Sequence, residues 1–163
     1  MDTEIINKYL QTPIGCIEII SNDTHIQSVK FVEVMGVNSP IQPQVLKDCC
    51  VQLQEYFEGT RKSFTIALQQ NGTDFQQLVW KELLTIPFGK KTSYLTLAKQ
   101  LGNAGAIRAV GTTNGKNKIA IIVPCHRVIG SDGKLTGYSG GLYRKQWLLE
   151  HEAKVMGISN LLF

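Results

Sequence analysis

A polar stretch near the middle of the chain, Gln69-Gln70-Asn71-Gly72, constrains the fold most because it marks the boundary between two dissimilar halves. Residues 1–72 hold 5 Lys+Arg and 8 Asp+Glu, a net charge of −3, whereas residues 73–163 hold 12 and 5, a net charge of +7. The charge therefore changes sign where the polar stretch lies. Because 163 residues suffice for one ordinary domain or two small ones, we predict two domains, residues 1–72 and 73–163.

The first half of the sequence predicts strands followed by a helix. PIGCIEIIS and HIQSVKFVEV are rich in Ile, Val and Phe, and the turn-forming Ser21-Asn22-Asp23 between them predicts a β-hairpin. Apolar residues at three- and four-residue spacing then predict an amphipathic helix from Val45 to Phe57, ending at Gly59. SFTIAL, residues 63–68, predicts a further strand. This half contains no motif of known chemistry, so we assign it a structural role in a small α/β domain.

The second half of the sequence predicts mainly helices. Thr73-Asp74-Phe75-Gln76 is typical of a capping box that opens a helix. Two short helices follow, joined by a turn at Gly102-Asn103, and their spacing is that of a helix-turn-helix. The apolar run at residues 119–123 predicts a strand, and a last helix is expected over about residues 144–153. The predicted fold class is therefore α/β (α+β), with a mainly helical C-terminal domain.

The positive charge is concentrated in one part of the second half. Between Glu82 and Asp132 lie 49 residues without a carboxylate, and this window contains seven Lys and Arg residues. Unopposed positive charge favours a polyanionic partner, since neutralising phosphates releases counterions. A solvated basic face without a partner is the alternative at this point.

Other features of the sequence bear on location and metal binding. No apolar run approaches the roughly 20 residues that span a bilayer, and the start, MDTEIINKYLQTP, lacks the apolar core of a signal peptide. We therefore expect a cytoplasmic protein without a membrane partner, in which Cys16, Cys49, Cys50 and Cys125 are free thiols. Without a Cys-x-x-Cys pair, a metal site and a thiol–disulfide enzyme are not expected.

Cys125 is the candidate for covalent chemistry. It follows the apolar run and precedes His126 and Arg127, whose positive charge or basicity favours a thiolate. A buried core cysteine at the end of a strand is the alternative. Adjacent residues of a strand also point to opposite faces, which argues against direct contact between the thiol and the imidazole.

The heptad Ile122-Val123-Pro124-Cys125-His126-Arg127-Val128 resembles the active-site signature of the O6-alkylguanine-DNA alkyltransferases, the methylated-DNA–protein-cysteine methyltransferases. The resemblance extends in order and spacing from about residue 73 to 153. It is carried by Phe75-Gln76, Val79-Trp80, Ile86-Pro87-Phe88-Gly89, Ser93-Tyr94, Arg108-Ala109-Val110-Gly111, Tyr138-Ser139-Gly140-Gly141 and Trp147-Leu148-Leu149-Glu150-His151-Glu152. The N-terminal half matches the family only in pattern.

The resemblance implies a fold and a reaction. It implies a ribonuclease H-like N-terminal domain and a helical C-terminal domain with a helix-turn-helix. The Cys125 thiolate would take the alkyl group from O6-alkylguanine, and also from O4-alkylthymine, in a single irreversible turnover without a cofactor. By the same resemblance, His126 deprotonates the thiol through a water, Glu152 orients His126, and Tyr94 gives a proton to the departing guanine.

The resemblance also implies a DNA-binding surface and a pocket for a flipped base. Arg108 would fill the space that the base leaves in the duplex. The other residues implied to bind DNA are Ser93, Ala109, Gly111, Asn114 and Arg127. Asn117 would be the hinge before the nucleophile, and the base pocket would be formed by Val128, Tyr138, Ser139 and Gly140. The implied partner is double-stranded DNA containing O6-alkylguanine, bound by a monomer.

The sequence departs from the family pattern next to the hinge. Lys118 and Ala120 stand where family members commonly have prolines, which bears on the stiffness of the hinge. A non-catalytic sensor of alkyl lesions and a helix-turn-helix regulator are the alternative functions. The presence of Cys125 argues against a sensor in which the nucleophile is replaced, and sequence-selective operator binding would favour the regulator.

Overall fold

A computed structural model describes residues 5–158, and the ends of both predicted domains lie outside this range. The chain divides into two compact units, residues 1–70 and residues 71–163. Each unit has its own buried apolar residues. No helix among the described residues is long and apolar enough to cross a membrane.

The N-terminal unit contains a three-stranded antiparallel sheet. Its strands are β1 (Ile6–Thr12), β2 (Gly15–Ser21) and β3 (Ile26–Val32), in the order β1-β2-β3. The hairpin predicted from the two apolar runs is the β2–β3 pair. Strand β1 was not predicted, because polar residues interrupt its apolar pattern. Its outer edge is covered by side chains: Asn38 Oδ1 accepts from Tyr9 N at 2.8 Å, and Ser39 Oγ accepts from Asn7 N at 2.8 Å.

Helix α1 (Gln44–Glu58) packs against this sheet through a buried apolar stripe. It ends at Gly59, whose φ of 84° is the left-handed conformation that glycine adopts without strain. The strand predicted at residues 63–68 does not form, and only Leu68 makes a single bridge to Ile26. The Gln52 side chain instead accepts from Thr65 N at 2.9 Å and donates to the Thr65 hydroxyl at 2.8 Å. A helix side chain therefore takes hydrogen bonds that a strand partner would have made.

The C-terminal unit is mainly helical. Helix α2 (Asp74–Leu83) begins at the predicted capping box, in which Thr73 and Gln76 satisfy each other's backbone N–H groups. Helices α3 (Tyr94–Gln100) and α4 (Ile107–Gly115) form the predicted helix pair. A two-residue strand β4 (Thr92–Ser93) precedes α3 and pairs in parallel with β5 (Val128–Ile129), and helix α5 (Leu142–Val155) ends the unit.

The turn between α3 and α4 is closed by backbone hydrogen bonds. Gly102 N donates to Lys99 O at 2.9 Å and Asn103 N donates to Ala98 O at 3.0 Å, which together form a Schellman motif. Gly102 has a φ of 80°. The Asn103 side chain then accepts from Gly105 N and opens a short 3-10 turn that leads into α4. The turn therefore fixes the angle at which the two helices meet.

The apolar run at residues 119–123 is not the predicted strand. It folds into consecutive tight turns, with Ile122 N donating to Ala120 O at 2.8 Å and Val123 N donating to Ile119 O at 3.1 Å. Ile121 has a φ of 71°, a conformation that strains a β-branched residue. Cys125 begins a 3-10 turn, Cys125–Arg127, so the strand geometry that opposed a contact between the thiol and the imidazole does not apply.

Candidate active site

Asn117 organises the backbone in front of the nucleophile. Its Oδ1 accepts from Ile119 N at 3.1 Å, and its Nδ2 lies within hydrogen-bond distance of Ile119 O at 3.1 Å and Val123 O at 2.9 Å. The same Nδ2 is 3.3 Å from Cys125 Sγ. The side chain of Asn117 thus takes the place of a neighbouring strand for the apolar run, which explains why this run turns instead of extending. It also holds the thiol by a direct polar contact.

Cys125 is the thiol at the centre of the site, and only 4% of it is exposed. Burial raises its pKa above the ordinary value, although the contact with Asn117 and the charge of Lys145 act in the opposite direction. The resting group is therefore a protonated thiol at neutral pH. Cationic neighbours alone do not make it a thiolate, so a base is needed when it reacts.

His126 and Glu152 form a buried pair beside the thiol. His126 Nε2 lies 2.6 Å from Glu152 Oε2, and both side chains are fully buried. Burial lowers the pKa of His126 despite the neighbouring carboxylate, so the imidazole is neutral at pH 7. Because an ionised carboxylate can only accept, Nε2 carries the proton and Nδ1 is the basic atom. Nδ1 has no hydrogen-bond partner among residues 5–158.

Glu152 is held ionised by its surroundings. Burial alone raises its pKa, but the charge of Arg127 and the hydrogen bonds from His126 and Arg127 outweigh burial and hold it well below the ordinary value. Arg127 Nε donates to Oε1 at 2.8 Å and Nη2 donates to Oε2 at 3.1 Å, while Gly89 N donates to Oε1 at 3.0 Å. The carboxylate is therefore fixed in one orientation by a charged fork and a backbone amide.

Two residues expected to bind DNA lie in the interior instead. Arg127 is buried and uses Nη1 to donate to Ile86 O at 2.6 Å, in addition to its bonds to Glu152. Asn114 is buried in α4 and donates from Nδ2 to Cys125 O at 3.2 Å. Sequence alone does not reveal which polar residues of a basic segment are turned inward. The structure contradicts the expectation that these two side chains contact DNA. They support the 3-10 turn of Cys125 from the interior and do not lie on the surface.

The other expected DNA-binding residues lie on or beside the helix pair. Arg108 and Ala109 are exposed in the first turn of α4, and Gly111 is partly exposed one turn further on. Ser93 caps α3 by accepting from Thr96 N at 3.0 Å. The Arg108 side chain is therefore not held in the interior as that of Arg127 is. It can extend outward from α4.

Three of the residues expected to form the base pocket, Tyr138, Ser139 and Gly140, lie in the loop between β5 and α5. The Tyr94 hydroxyl donates to Thr136 O at 3.3 Å, which joins α3 to this loop. The Tyr138 hydroxyl is buried without a partner among the described residues, and burial and the charge of Cys125 raise its pKa well above the usual range. Ser139 is exposed, Gly140 accepts from Arg144 Nη1 at 2.9 Å, and Val128 is fully buried in β5.

Lys145 belongs to the site but was missed by reasoning from the sequence. It lies in α5 on the buried stripe formed by Lys145, Leu148, Leu149, Glu152 and Ala153. Their spacing of three and four residues is the signal that could have found it, because a lysine in an apolar stripe is forced inward. No cluster of His, Cys, Asp and Glu within residues 5–158 is arranged to hold a metal ion.

A helix-turn-helix and a buried thiol beside an oriented imidazole–carboxylate pair are features of cysteine-dependent proteins that act on DNA. Comparisons with known proteins support this class of protein. The family model of the 6-O-methylguanine DNA methyltransferase DNA-binding domain matches residues 74–154, and the model of its ribonuclease-like domain matches residues 5–70. This chain belongs to the methylated-DNA–protein-cysteine methyltransferase family, and the predicted fold class is confirmed.

Individual relatives cover nearly the whole chain. The methylated-DNA–protein-cysteine methyltransferase of Mycobacterium tuberculosis is 46% identical over 147 residues, 88% of this chain and 89% of the relative. That of Methanosarcina barkeri is 42% identical over 148 residues, with 88% and 94% covered. A crystal structure of the M. tuberculosis protein in complex with DNA superposes with a TM-score of 0.84 at 45% identity, covering 91% of this chain and 93% of that chain.

Proposed function

We propose that this protein repairs alkylated DNA by direct reversal, moving the alkyl group of O6-alkylguanine, and of O4-alkylthymine, onto Cys125 Sγ. The class of activity, a DNA repair methyltransferase, follows from family membership, and a regulator or sensor is not favoured. The single observation that carries the assignment to Cys125 is its contact with Asn117 beside the His126–Glu152 pair. We assign residues 73–163 the DNA-binding and alkyl-acceptor roles, and residues 1–72 a structural role.

The chemical step is a displacement at carbon. Cys125 Sγ forms a bond to the alkyl carbon as the bond from that carbon to guanine O6 breaks, and the electron pair leaves with the guanine. Sulfur suits this reaction because a thiolate is a soft and strong nucleophile. The product is a thioether. Among the described residues around the site none offers a way to cleave it, so each molecule acts once. The displacement itself requires no cofactor.

Two proton transfers accompany the displacement. The Cys125 proton passes through one water molecule to His126 Nδ1, and Glu152 stabilises the imidazolium that forms, because Nε2 already bonds to its carboxylate. The departing guanine takes a proton from the Tyr94 hydroxyl, which the bond to Thr136 O holds near the loop. Tyr94 regains a proton from solvent as His126 Nδ1 releases its proton to solvent, so the net change is one proton moved from thiol to guanine.

The target base must leave the duplex before it can react, since a buried thiol cannot reach O6 within stacked DNA. The exposed first turn of α4 would approach the duplex, with Arg108 occupying the gap that the base leaves. DNA is the partner that the matched DNA-binding domain supports. We further propose that the lesion is O6-alkylguanine and that the protein acts as a cytoplasmic monomer.

The test is transfer of a methyl group from DNA. Duplex DNA containing one O6-methylguanine is incubated with excess protein, and the mass of the proteolytic peptide that bears Cys125 is measured by mass spectrometry. We expect this peptide to gain the mass of one methyl group while the lesion disappears in equal amount. A matched control is Cys50→Ser, which removes a similarly buried thiol of the N-terminal unit and leaves transfer intact.

Cys125→Ser separates chemistry from binding. This variant should transfer nothing and keep its affinity for the duplex, because the serine hydroxyl is a far weaker nucleophile but fits the same space. An unmodified Cys125 peptide with a persisting lesion in the wild-type protein refutes the proposed activity. Loss of DNA affinity together with transfer in the serine variant assigns Cys125 to folding instead.

A further inference from the structure

Asn114 is a buried amide of α4 of which only one end is paired. Its Nδ2 donates to Cys125 O at 3.2 Å, and 2% of the residue is exposed. Its Oδ1 is buried and has no hydrogen-bond partner among residues 5–158. A buried acceptor that lacks a partner loses its bonds to solvent on folding without replacement, so such atoms are rare in folded proteins. This oxygen therefore requires a donor.

The orientation of the amide follows from its one hydrogen bond. A carbonyl oxygen such as Cys125 O can only accept, so the nitrogen of the Asn114 amide must be the end that faces it. Because the oxygen and the nitrogen of an amide are bonded to the same carbon, Oδ1 also lies beside the 3-10 turn of Cys125. The unpaired oxygen is thus an acceptor next to the nucleophile.

Unpaired buried side-chain atoms gather around Cys125. In the C-terminal unit, the described residues with such an atom are Asn114 (Oδ1), His126 (Nδ1) and Tyr138 (the hydroxyl). His126 follows Cys125 in the 3-10 turn. The pKa of Tyr138 is raised by burial and by the charge of Cys125, which indicates that its hydroxyl lies near the thiol. Buried water is the usual ligand of polar groups that the protein leaves unpaired.

The hydrogen-bonding capacity of these atoms fits one water molecule. His126 Nδ1 is an acceptor, because Nε2 carries the proton toward Glu152, and Asn114 Oδ1 is an acceptor as well. The Cys125 sulfur accepts from Asn117 Nδ2 at 3.3 Å, which leaves its S–H group to donate elsewhere. A water molecule can donate one hydrogen to each of the two acceptors while its oxygen accepts from the thiol.

We infer that Asn114 is a positioning residue of the proton transfer: its Oδ1 holds the water molecule that connects the Cys125 thiol to His126 Nδ1. The role in alkyl transfer rests on the proposed function, whereas the binding of the water does not. When the thiol reacts, its proton passes to the water as one water proton passes to Nδ1, and sulfur keeps the electron pair for the bond to carbon. The other water hydrogen stays directed at Oδ1 throughout, so the water is regenerated in place.

The third hydrogen bond matters because a buried water typically makes about three of them. With the thiol and the imidazole alone, one hydrogen of the water would itself be buried without an acceptor. Asn114 supplies this acceptor from α4, whereas Cys125 and His126 both belong to the 3-10 turn. The amide therefore fixes which water hydrogen faces the base, and a relay requires this alignment.

The first experiment is a crystal structure of the unreacted wild-type protein at a resolution that shows ordered waters. We expect one water within hydrogen-bond distance of Asn114 Oδ1, His126 Nδ1 and Cys125 Sγ. This water should be absent from the structure of Asn114→Leu, in which an apolar side chain of similar volume replaces the amide. The inference is wrong if the wild type has no such water, if the water contacts the Tyr138 hydroxyl and not Asn114, or if it persists in Asn114→Leu.

Thr113→Val is the matched control. Thr113 is also buried in α4, beside Asn114, and valine has the shape of threonine without its hydroxyl. The bond from Trp80 Nε1 to Thr113 O involves the backbone, so it remains in this variant. The variant should keep both the water and the wild-type rate of methyl transfer. Far-ultraviolet circular dichroism and thermal unfolding establish that each variant is folded.

The second experiment is a double-mutant cycle in methyl transfer from duplex DNA containing O6-methylguanine. Asn114→Leu should slow transfer about tenfold, a part of the roughly 10²–10⁴-fold that a general base contributes. In a His126→Gln background, where the base is missing, Asn114→Leu should cause little further loss. Equal fold losses in both backgrounds contradict the inference, because a residue that only supports the turn of Cys125 acts with or without the base.

Failure of the inference and failure of the proposed function give different results. Absence of methyl transfer in the wild type refutes the proposed function, and the crystal structures still decide whether Asn114 holds the water. The rate at which iodoacetamide alkylates Cys125 then replaces methyl transfer in the cycle, with the same expectation, since this reaction also requires loss of the thiol proton. If Asn114→Leu does not fold, the contacts of the water in the wild-type structure decide.

Discussion

Glu152 is the residue at which the buried charges of the site meet. Its two oxygens accept from His126, from the Arg127 fork and from Gly89 N, so the carboxylate has little freedom to rotate. The cost of burying an ion is offset only when such partners are complete. The same bonds therefore orient the proposed base and keep Arg127 from being an unpaired cation in the interior.

Replacing this carboxylate by an amide tests its contribution to stability. Glu152→Gln should lower the free energy of unfolding by about 3 kcal/mol at pH 7, because it leaves Arg127 buried without a counter-charge. Urea denaturation followed by circular dichroism measures the change. Glu150→Gln is the matched control, since Glu150 is exposed in the same helix and contacts Gln146. An equal loss in both variants contradicts the assignment.

The difference in unfolding free energy between wild type and Glu152→Gln should depend on pH. Glu152 has a lower pKa in the folded protein than the roughly 4.3 of an unfolded glutamate. Its contribution is therefore fully present above about pH 5 and is lost progressively as the pH falls toward the lower folded value. The gap in unfolding free energy between wild type and Glu152→Gln should narrow below pH 4. A difference in unfolding free energy that widens below pH 4 contradicts a lowered pKa of Glu152 in the folded protein.

At the scale of elements, the turn between α3 and α4 determines how the helix pair presents Arg108. The Schellman motif requires a left-handed residue at position 102, and glycine supplies it without a steric cost. Apart from its two chain neighbours, no heavy atom of residues 5–158 lies within 4 Å of a Cβ built on Gly102. The obstacle to alanine is therefore the backbone conformation.

Two glycine substitutions should change the free energy of unfolding in opposite directions. Gly102→Ala should destabilise the protein by about 1 kcal/mol, the usual cost of a left-handed alanine. Gly115→Ala is the matched control: Gly115 also has open space around its Cβ, but it lies in α4 without a positive φ, so alanine should stabilise by about 0.5 kcal/mol. Midpoints of urea denaturation measure both. A stabilising Gly102→Ala contradicts the left-handed turn.

At the scale of the whole molecule, the charges are segregated along the chain. The half with a net charge of +7 contains the helix-turn-helix and Cys125, and the half with −3 contains the three-stranded sheet. Phosphate contacts position a protein on DNA without reading sequence. This distribution suits a protein that must search undamaged DNA for rare lesions, because its affinity is general and depends on ionic strength.

The dependence on salt can be apportioned to single lysines. We expect the affinity for undamaged duplex to fall steeply between 50 and 200 mM salt, as phosphate contacts release counterions. Lys116→Gln, at the exposed end of α4, should reduce the slope of log K against log salt by about 0.9. Lys47→Gln, exposed on α1 of the acidic half, should leave it unchanged. Equal effects of the two variants contradict a binding face confined to the basic half.

Local patterns in the sequence predicted several elements correctly. The capping box at Thr73, the helix ending at Gly59, the hairpin and the helix pair depend on residues close together in the chain, so short-range spacing contains the information. The prediction failed where distant groups compete for the backbone. Gln52 takes the hydrogen bonds of Thr65, and Asn117 folds an apolar run that by pattern alone is typical of a strand.

The candidate site shows the same contrast between what local sequence and what tertiary contacts determine. The sequence by itself determined the heptad around Cys125, the charge of each half and, through the resemblance, the family. Only the tertiary structure decided which polar side chains face inward: Arg127 and Asn114 support the nucleophile from within, and Lys145 enters the site from α5. The physical reason is that burial and pairing depend on groups far apart in the chain, whereas a motif records only its neighbours.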